Sequence, residues 1–250
     1  MNILVVNDDG IQSKGIWHLV QALSKAADVY VCAPDGQRSA KSHSITLGQE
    51  VIIQPVDFPG AKGALQTSGS PADCTKIGLQ FFAEEGIKMD MVYSGINMGS
   101  NLGMDTLYSG TIGAAAEAAI SGVQAVAVSA DDHEATHFDT ACKLAVDVIE
   151  HVYGKLDPSV VVSINVPDLP AEEIKGVRTA LLGGHYYDDR FHRVEGSRYA
   201  LSGQPADYSD SSLDYDLAAV YAGYATITPL RFDFTDRGSF ETVEKWGLTI

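Results

Sequence analysis

The chain has 250 residues, 45% of them hydrophobic, and a formal net charge of −16 from 33 acidic and 17 basic residues. This acidic balance disfavours long nucleic acids and anionic membranes as partners, because both attract fields of Lys and Arg. No apolar run approaches the roughly 20 residues that cross a bilayer and the N-terminus lacks a signal-peptide pattern, so we expect a cytoplasmic protein.

A β-α-β unit is predicted at the N-terminus. Residues 2 to 7 form a largely β-branched apolar run, typical of a buried parallel strand, and the run stops at Asp8, Asp9 and Gly10. Apolar residues then recur at helical spacing between residues 16 and 23, and residues 29 to 33 predict a second buried strand.

The same alternation continues to residue 165. Helices are predicted over residues 72–83, 110–121 and 137–151, and strands over residues 89–93, 123–129 and 160–165. Such a pattern predicts an α/β fold with a mostly parallel sheet, helices on both faces, and a site outside the carboxyl ends of the strands.

The pattern changes after residue 167. Residues 186 to 216 favour hairpins and loops, and residues 224 to 229 predict a further strand. We therefore expect one domain over residues 1–250, with a core of about 1–167 plus 224–230 and a hairpin and C-terminal arm from the remainder. Phe240 and Trp246 in the tail suit either docking on another subunit or folding back onto their own domain.

Two adjacent aspartates, Asp8 and Asp9, follow the first predicted strand. At a turn both carboxylates can converge on one hard cation, and with a hydroxyl and an amide oxygen they would make an all-oxygen set suited to Mg²⁺ or Mn²⁺. The alternative is an ordinary Asp-Asp-Gly turn in which Asp9 has a capping role.

A glycine-rich segment, residues 94 to 103, follows the strand at 89–93 and is expected to be a loop whose backbone is closely approached by other parts of the chain. Ser109, Gly110 and Thr111 come just before the next helix. The free N–H groups at a helix N-terminus can hold a phosphate, although an ordinary helix cap would have the same sequence.

Residues 133 to 137 match the HExxH pattern of zinc proteases, with His133, Glu134 and His137 as the residues concerned. That pattern needs both histidines on one face of a helix, whereas residues 129 to 132 indicate a turn and a helix start. A zinc hydrolase and exposed residues of a first helical turn are the two interpretations.

With these residues in hand, the chain resembles the SurE family, nucleotidases that act as metal-dependent phosphatases on nucleoside monophosphates. The similarity covers nearly the whole chain. It is carried by VVNDDG at residues 5–10, APD at 33–35 with QRS at 37–39 and SIT at 44–46, and GSPADC at 69–74. The most specific part runs from SGIN at 94–97 through Asn101 to YSGT at 108–111.

The resemblance implies the site residues. The metal ligands would be Asp8, Asp9, Ser39 and Asn97, with one divalent ion per subunit. The phosphate pocket would consist of Asn101, Ser109, Gly110 and Thr111. Three departures from the family's usual residues concern loops and packing: Ala40 for glycine, Ser70 for threonine, and Ala118 for glycine.

The resemblance further implies a Rossmann-like three-layer sandwich, a C-terminal part that is exchanged between subunits, and homodimers or homotetramers. The expected reaction is hydrolysis of nucleoside 5′-monophosphates, with 3′-monophosphates and short polyphosphate as further candidates. Asp8 and Asp9 either both bind the cation while a water attacks, or one of them, by preference Asp8, also acts as nucleophile or general acid/base. A nucleotide-binding sensor without turnover is the alternative from outside the enzymes.

Overall fold

The computed structural model describes residues 1–184, 187–205, 207 and 211–248. Its centre is a nine-stranded sheet in the order β3-β4-β2-β1-β5-β6-β7-β11-β8. The strands are β1 Asn2–Val6, β2 Asp28–Pro34, β3 Ile53–Pro55, β4 Gly63–Thr67, β5 Met91–Met98, β6 Gln124–Asp131, β7 Val160–Pro167, β8 Val177–Thr179 and β11 Ala225–Arg231. A separate hairpin is formed by β9 Tyr187–Glu195 and β10 Arg198–Pro205.

The strands from β4 to β7 in the sheet order are parallel, as predicted. Within the described nine-stranded sheet, the antiparallel pairs are β3 with β4 and β11 with β7. From β1 the chain first proceeds to β2 on one side, and β5 then pairs with the other side of β1. The carboxyl end of β1 is therefore the switch point of the sheet, where α/β folds place their ligands.

Helices cover both faces of the sheet. The main α-helices are α1 Lys14–Leu23, α2 Pro71–Glu84, α3 Gly110–Ile120, α4 Asp139–Asp147, α5 Ile149–Val152, α6 Asp216–Tyr221 and α7 Phe240–Glu244. One buried cluster joins α1 and α4 to the sheet, and a second joins α2 and α3 to the opposite face. The predicted three-layer α/β architecture is confirmed.

Two predicted elements differ from the structure by more than one or two terminal residues. Strand β5 does not end at residue 93 but continues to Met98, with an irregular register between Ser94 and Asn97. The predicted helix over 137–151 begins at Asp139 and is interrupted at Val148, between α4 and α5. Strands β3, β4 and β8 and helices α6 and α7 were not predicted.

The C-terminal part contains the predicted hairpin and returns to the sheet through β11. Phe240 and Trp246 are both more than 60% exposed, and α7 has no buried residue. The described tail is therefore not packed against its own domain. In the described part of the chain, no helix has the length and apolar character needed to cross a membrane.

Candidate active site

A cavity of about 450 Å³ opens at the carboxyl ends of β1, β5 and β6. Five of the residues predicted for the site line it: Asp8, Ser39, Asn97, Asn101 and Ser109. The other three predicted residues, Asp9, Gly110 and Thr111, lie beside these and contact them or their neighbours. The structure thus brings all eight together from four separate segments.

Asp8 is buried in the cavity wall and is only 4% exposed. Its Oδ1 accepts a hydrogen bond of 2.7 Å from Thr111 Oγ1. Burial raises the pKa of Asp8 from 3.8 to about 6 against the lowering effect of the Thr111 bond, with a smaller raising contribution from the nearby carboxylate of Asp9. The anion is thus held where water solvates it poorly and a second anion repels it.

Asp9 and Asn97 are oriented by the end of β5. Asp9 Oδ2 accepts from the backbone N–H of Met98 at 3.0 Å, and Asn97 Nδ2 donates to the carbonyl of Gly99 at 2.7 Å. Burial also raises the pKa of Asp9. Since the amide nitrogen of Asn97 is engaged, its oxygen is the atom left for another partner.

These residues fit a hard divalent cation. Two carboxylates, an amide oxygen and the Ser39 hydroxyl form an all-oxygen donor set. No Lys or Arg is among the described residues that line the cavity. The two carboxylates therefore have no Lys or Arg of this wall to neutralise them, and a divalent ion would relieve both their repulsion and their desolvation.

The segment that carries Ser39 is fixed to the body of the protein at several points. The N–H of Arg38 donates to Asp8 O at 2.7 Å, and the N–H of Ser42 donates to Tyr108 O at 2.9 Å. His43 Nε2 lies 2.8 Å from Oε2 of Glu117, a buried residue of α3. These contacts hold Ser39 over the cavity.

Two departures from the usual family residues can now be placed. Ala40 adopts φ +54°, a left-handed conformation in which glycine has no steric penalty, so this chain keeps the loop conformation at some cost. Ser70 takes over the capping role completely, because it forms a capping box with Asp73 at the start of α2.

The N-terminus of α3 faces the site, but its residues have different tasks. Ser109 caps the helix, since its Oγ accepts from the N–H of Ile112 at 3.1 Å. Thr111 is fully buried, and its hydroxyl is bonded to Asp8. A Cβ on Gly110 would lie 2.9 Å from Asp8 Oδ2, so glycine permits the close approach of α3 to that carboxylate.

Asn101 is held by a buried polar network behind the cavity. Its Nδ2 donates to Ser129 Oγ at 2.7 Å, and its backbone N–H donates to Asn165 Oδ1 at 2.8 Å. Asn165 Nδ2 in turn donates to the carbonyl of Asn101 at 3.2 Å. Sequence reasoning missed Ser129 and Asn165, which lie at equivalent register positions of β6 and β7.

The residues that match the HExxH pattern do not lie on a helix. Residues 132 to 138 form a turn and an irregular segment, and α4 begins only at Asp139. His137 Nδ1 lies 3.2 Å from Asp168 Oδ1, whereas His133 lines the cavity. Among the described residues, no group of three His, Cys, Asp or Glu side chains is arranged to hold a metal ion. The zinc interpretation is not supported, and the expected first helical turn is wrong as well.

Further residues of the cavity wall were not among the predicted metal and phosphate residues. They are polar or aromatic and come from the loops after β2, β5 and β6: Gln37, Ser100, Asp105, Tyr108, Asp131, Asp132 and His133. The sequence indicates their place in the site only through their position after predicted strands.

Comparison with known proteins supports the resemblance. The family model described as survival protein SurE matches residues 3–189. The "5'-nucleotidase SurE" of Pelotomaculum thermopropionicum is 37% identical over 98% of this chain and 95% of its own length. The "5'/3'-nucleotidase SurE" of Proteus mirabilis is 39% identical over 98% and 96%.

The fold agrees with these relatives. A crystal structure of the SurE protein from Aquifex aeolicus superimposes with a TM-score of 0.86 at 32% identity. The alignment covers 98% of this chain and 99% of that one.

Proposed function

The chain belongs to the SurE family, and on that premise we propose that it is a metal-dependent phosphomonoesterase that hydrolyses nucleoside 5′-monophosphates to nucleoside and phosphate. The observation that carries the proposal is one cavity lined by the buried carboxylate of Asp8, which contacts the N-terminus of α3 and has the partly buried carboxylate of Asp9 next to it. The names of the relatives, 5'-nucleotidase and 5'/3'-nucleotidase, point to the same reaction.

One divalent ion per subunit, Mg²⁺ or Mn²⁺, would be held by Asp8, Asp9, Ser39 and Asn97. When bound, such an ion neutralises charge that develops on the transferred phosphoryl oxygens and activates an attacking oxygen. The preference for these ions rests on the oxygen-only donor set.

The chain's own groups would bind and orient the phosphoryl group. Asn101, fixed by Ser129 and Asn165, presents its amide to the cavity, and Ser109 and Gly110 present the N-terminal end of α3. Thr111 acts on Asp8, because its hydroxyl orients that carboxylate. Asp8 either serves as a ligand alone or also attacks or transfers a proton.

The first test is phosphate release from a panel of nucleoside 5′- and 3′-monophosphates and tripolyphosphate, with Mg²⁺, Mn²⁺ or Zn²⁺ and with chelator. We expect release with Mg²⁺ or Mn²⁺ that chelator abolishes. His137→Ala is a matched control, because His137 lies outside the cavity and a zinc site at HExxH would require it. We expect this variant to keep full activity.

Two other outcomes of this test would favour the alternative functions. Nucleotide binding without release under any metal would favour a sensor, and loss of activity in a folded His137→Ala protein would restore the zinc hydrolase.

We also propose that the chain forms homodimers or homotetramers through its C-terminal arm. Phe240 and Trp246 are 62% and 63% exposed, and the rings would lose this contact with water in an interface. Replacing both residues by Ser is expected to lower the molar mass measured by light scattering, with the unfolding temperature of the core little changed. An unchanged molar mass would show that the arm does not form the interface.

A further inference from the structure

We propose that His133 donates the proton to the leaving oxygen of the nucleoside, an inference that rests on the proposed function. The sequence drew attention to this residue as part of a zinc motif. The structure instead places this residue, on the loop after β6, in the wall of the same cavity that Ser39 lines.

The imidazole is seated against the loop after β5. A Cβ on Gly99 would lie 2.9 Å from both Cε1 and Nδ1 of His133. Gly99 has φ +114°, a conformation that other residues rarely adopt, so glycine provides both the backbone path and the space for the ring.

The turn that carries His133 is itself tied down. The N–H of Asp132 donates to Ala130 O at 2.9 Å, and the N–H of Glu134 donates to Asp132 Oδ1 at 2.7 Å. Ala135, just after the turn, is buried, and the N–H of Gly99 also donates to Ala130 O, at 2.8 Å. The two loops therefore form one support for the ring.

His133 is the one side chain with a positively charged form among the described residues of the cavity wall. The other titratable groups of the wall, apart from Tyr108, are four aspartates: Asp8, Asp105, Asp131 and Asp132. The charge of His133 acts on the carboxylates of Asp9 and Asp131. An imidazolium that faces a phosphate site can act as a general acid.

The reaction needs such a donor. As the oxygen of a water bonds to phosphorus, the phosphorus–oxygen ester bond breaks and its electron pair stays on the sugar oxygen. This oxygen takes the proton of the imidazolium, which leaves a neutral nucleoside, monoanionic dihydrogen phosphate and neutral imidazole. Loss of one proton from the phosphate to solvent and uptake of one by the imidazole complete the cycle.

The test compares leaving groups in the full-length protein with its metal. A sugar alkoxide needs protonation, whereas p-nitrophenolate leaves well without it. For His133→Asn and His133→Ala we expect kcat with a nucleoside 5′-monophosphate to fall at least 100-fold and kcat with p-nitrophenyl phosphate to fall less than 10-fold. Mn²⁺ affinity, measured by calorimetry, should change less than 3-fold.

Both variants should fold, because the side chain is exposed and makes no hydrogen bond that holds the turn. His137→Ala, four residues on and bonded to Asp168, is the matched control and should keep both activities. Equal losses on the two substrates, or no loss on the nucleotide, would overturn the role of His133. No release by the native protein from either substrate would instead overturn the proposed function.

Discussion

Asp9→Asn is expected to reduce phosphate release on the order of a thousandfold at saturating nucleoside monophosphate. The substitution keeps the shape of the side chain and an oxygen that can accept the N–H of Met98, so the end of β5 should stay in place. It removes one of the two anionic oxygen donors of the cation site. The measurement is the initial rate with Mn²⁺, together with Mn²⁺ affinity from calorimetry.

The stability of this variant gives an independent check. Burial raises the pKa of Asp9, which means that folding without metal disfavours its charged form at neutral pH. We therefore expect the metal-free variant to unfold at the same or a higher temperature than the native chain, and Mn²⁺ to stabilise only the native chain strongly. Asp28→Asn, at the amino end of β2, is the control. Asp9 would not be a ligand if the variant kept native Mn²⁺ affinity.

The position of the aspartates could be predicted because it depends on a local pattern. A continuous apolar run buries β1 on both faces, and the first polar residues after it must lie at the carboxyl edge of the sheet. The start of α3 is equally local, since Ser109 caps the helix with its own side chain. Parallel strands then bring these separate edges together, so most of the candidate site follows from short-range features.

The remaining features depend on contacts between distant segments. The glycine-rich segment was expected to be a loop, but part of it continues β5. A Cβ on Gly95 would lie 2.2 Å from Val128 O of β6, so glycine allows the two strands to lie this close together. The close backbone approach expected of this segment is confirmed, but it lies between two paired strands and not within a loop. Strand β3 has no buried residue, so it has no burial pattern to detect.

His133 shows the same limit at the site itself. Whether it lies on a helix face or in the cavity wall is decided by the turn after β6 and by Gly99, which is 34 positions earlier in the chain. A motif match contains information on neither the turn after β6 nor the contact with Gly99. The match therefore predicted the wrong chemistry for a residue that does face the site.

Gly113→Ala is expected to damage the site through the segment that carries Ser39. In an open helix this change would stabilise by about 1 kcal/mol, because alanine is the better helix former. Here the new Cβ would lie 2.4 Å from Ser42 O and 2.9 Å from His43 Cα, which are backbone atoms. We expect a loss of about 1–3 kcal/mol in unfolding free energy and at least a tenfold loss of activity.

The loss of activity follows because the segment has little freedom to move aside. Ser42 Oγ donates to Leu107 O at 2.6 Å, and His43 is held by Glu117, so displacement breaks bonds that keep Ser39 over the cavity. Gly78→Ala in α2 separates the loss of stability from the loss of activity. Its new Cβ would lie 2.7 and 2.8 Å from side-chain atoms of Leu4 and would not contact the segment that carries Ser39. We expect the Gly78→Ala protein to have a lower unfolding free energy, measured by denaturant titration, and native activity per folded molecule. If Gly113→Ala behaved in the same way, the contact between α3 and residues 42–43 would be a packing contact that does not position Ser39.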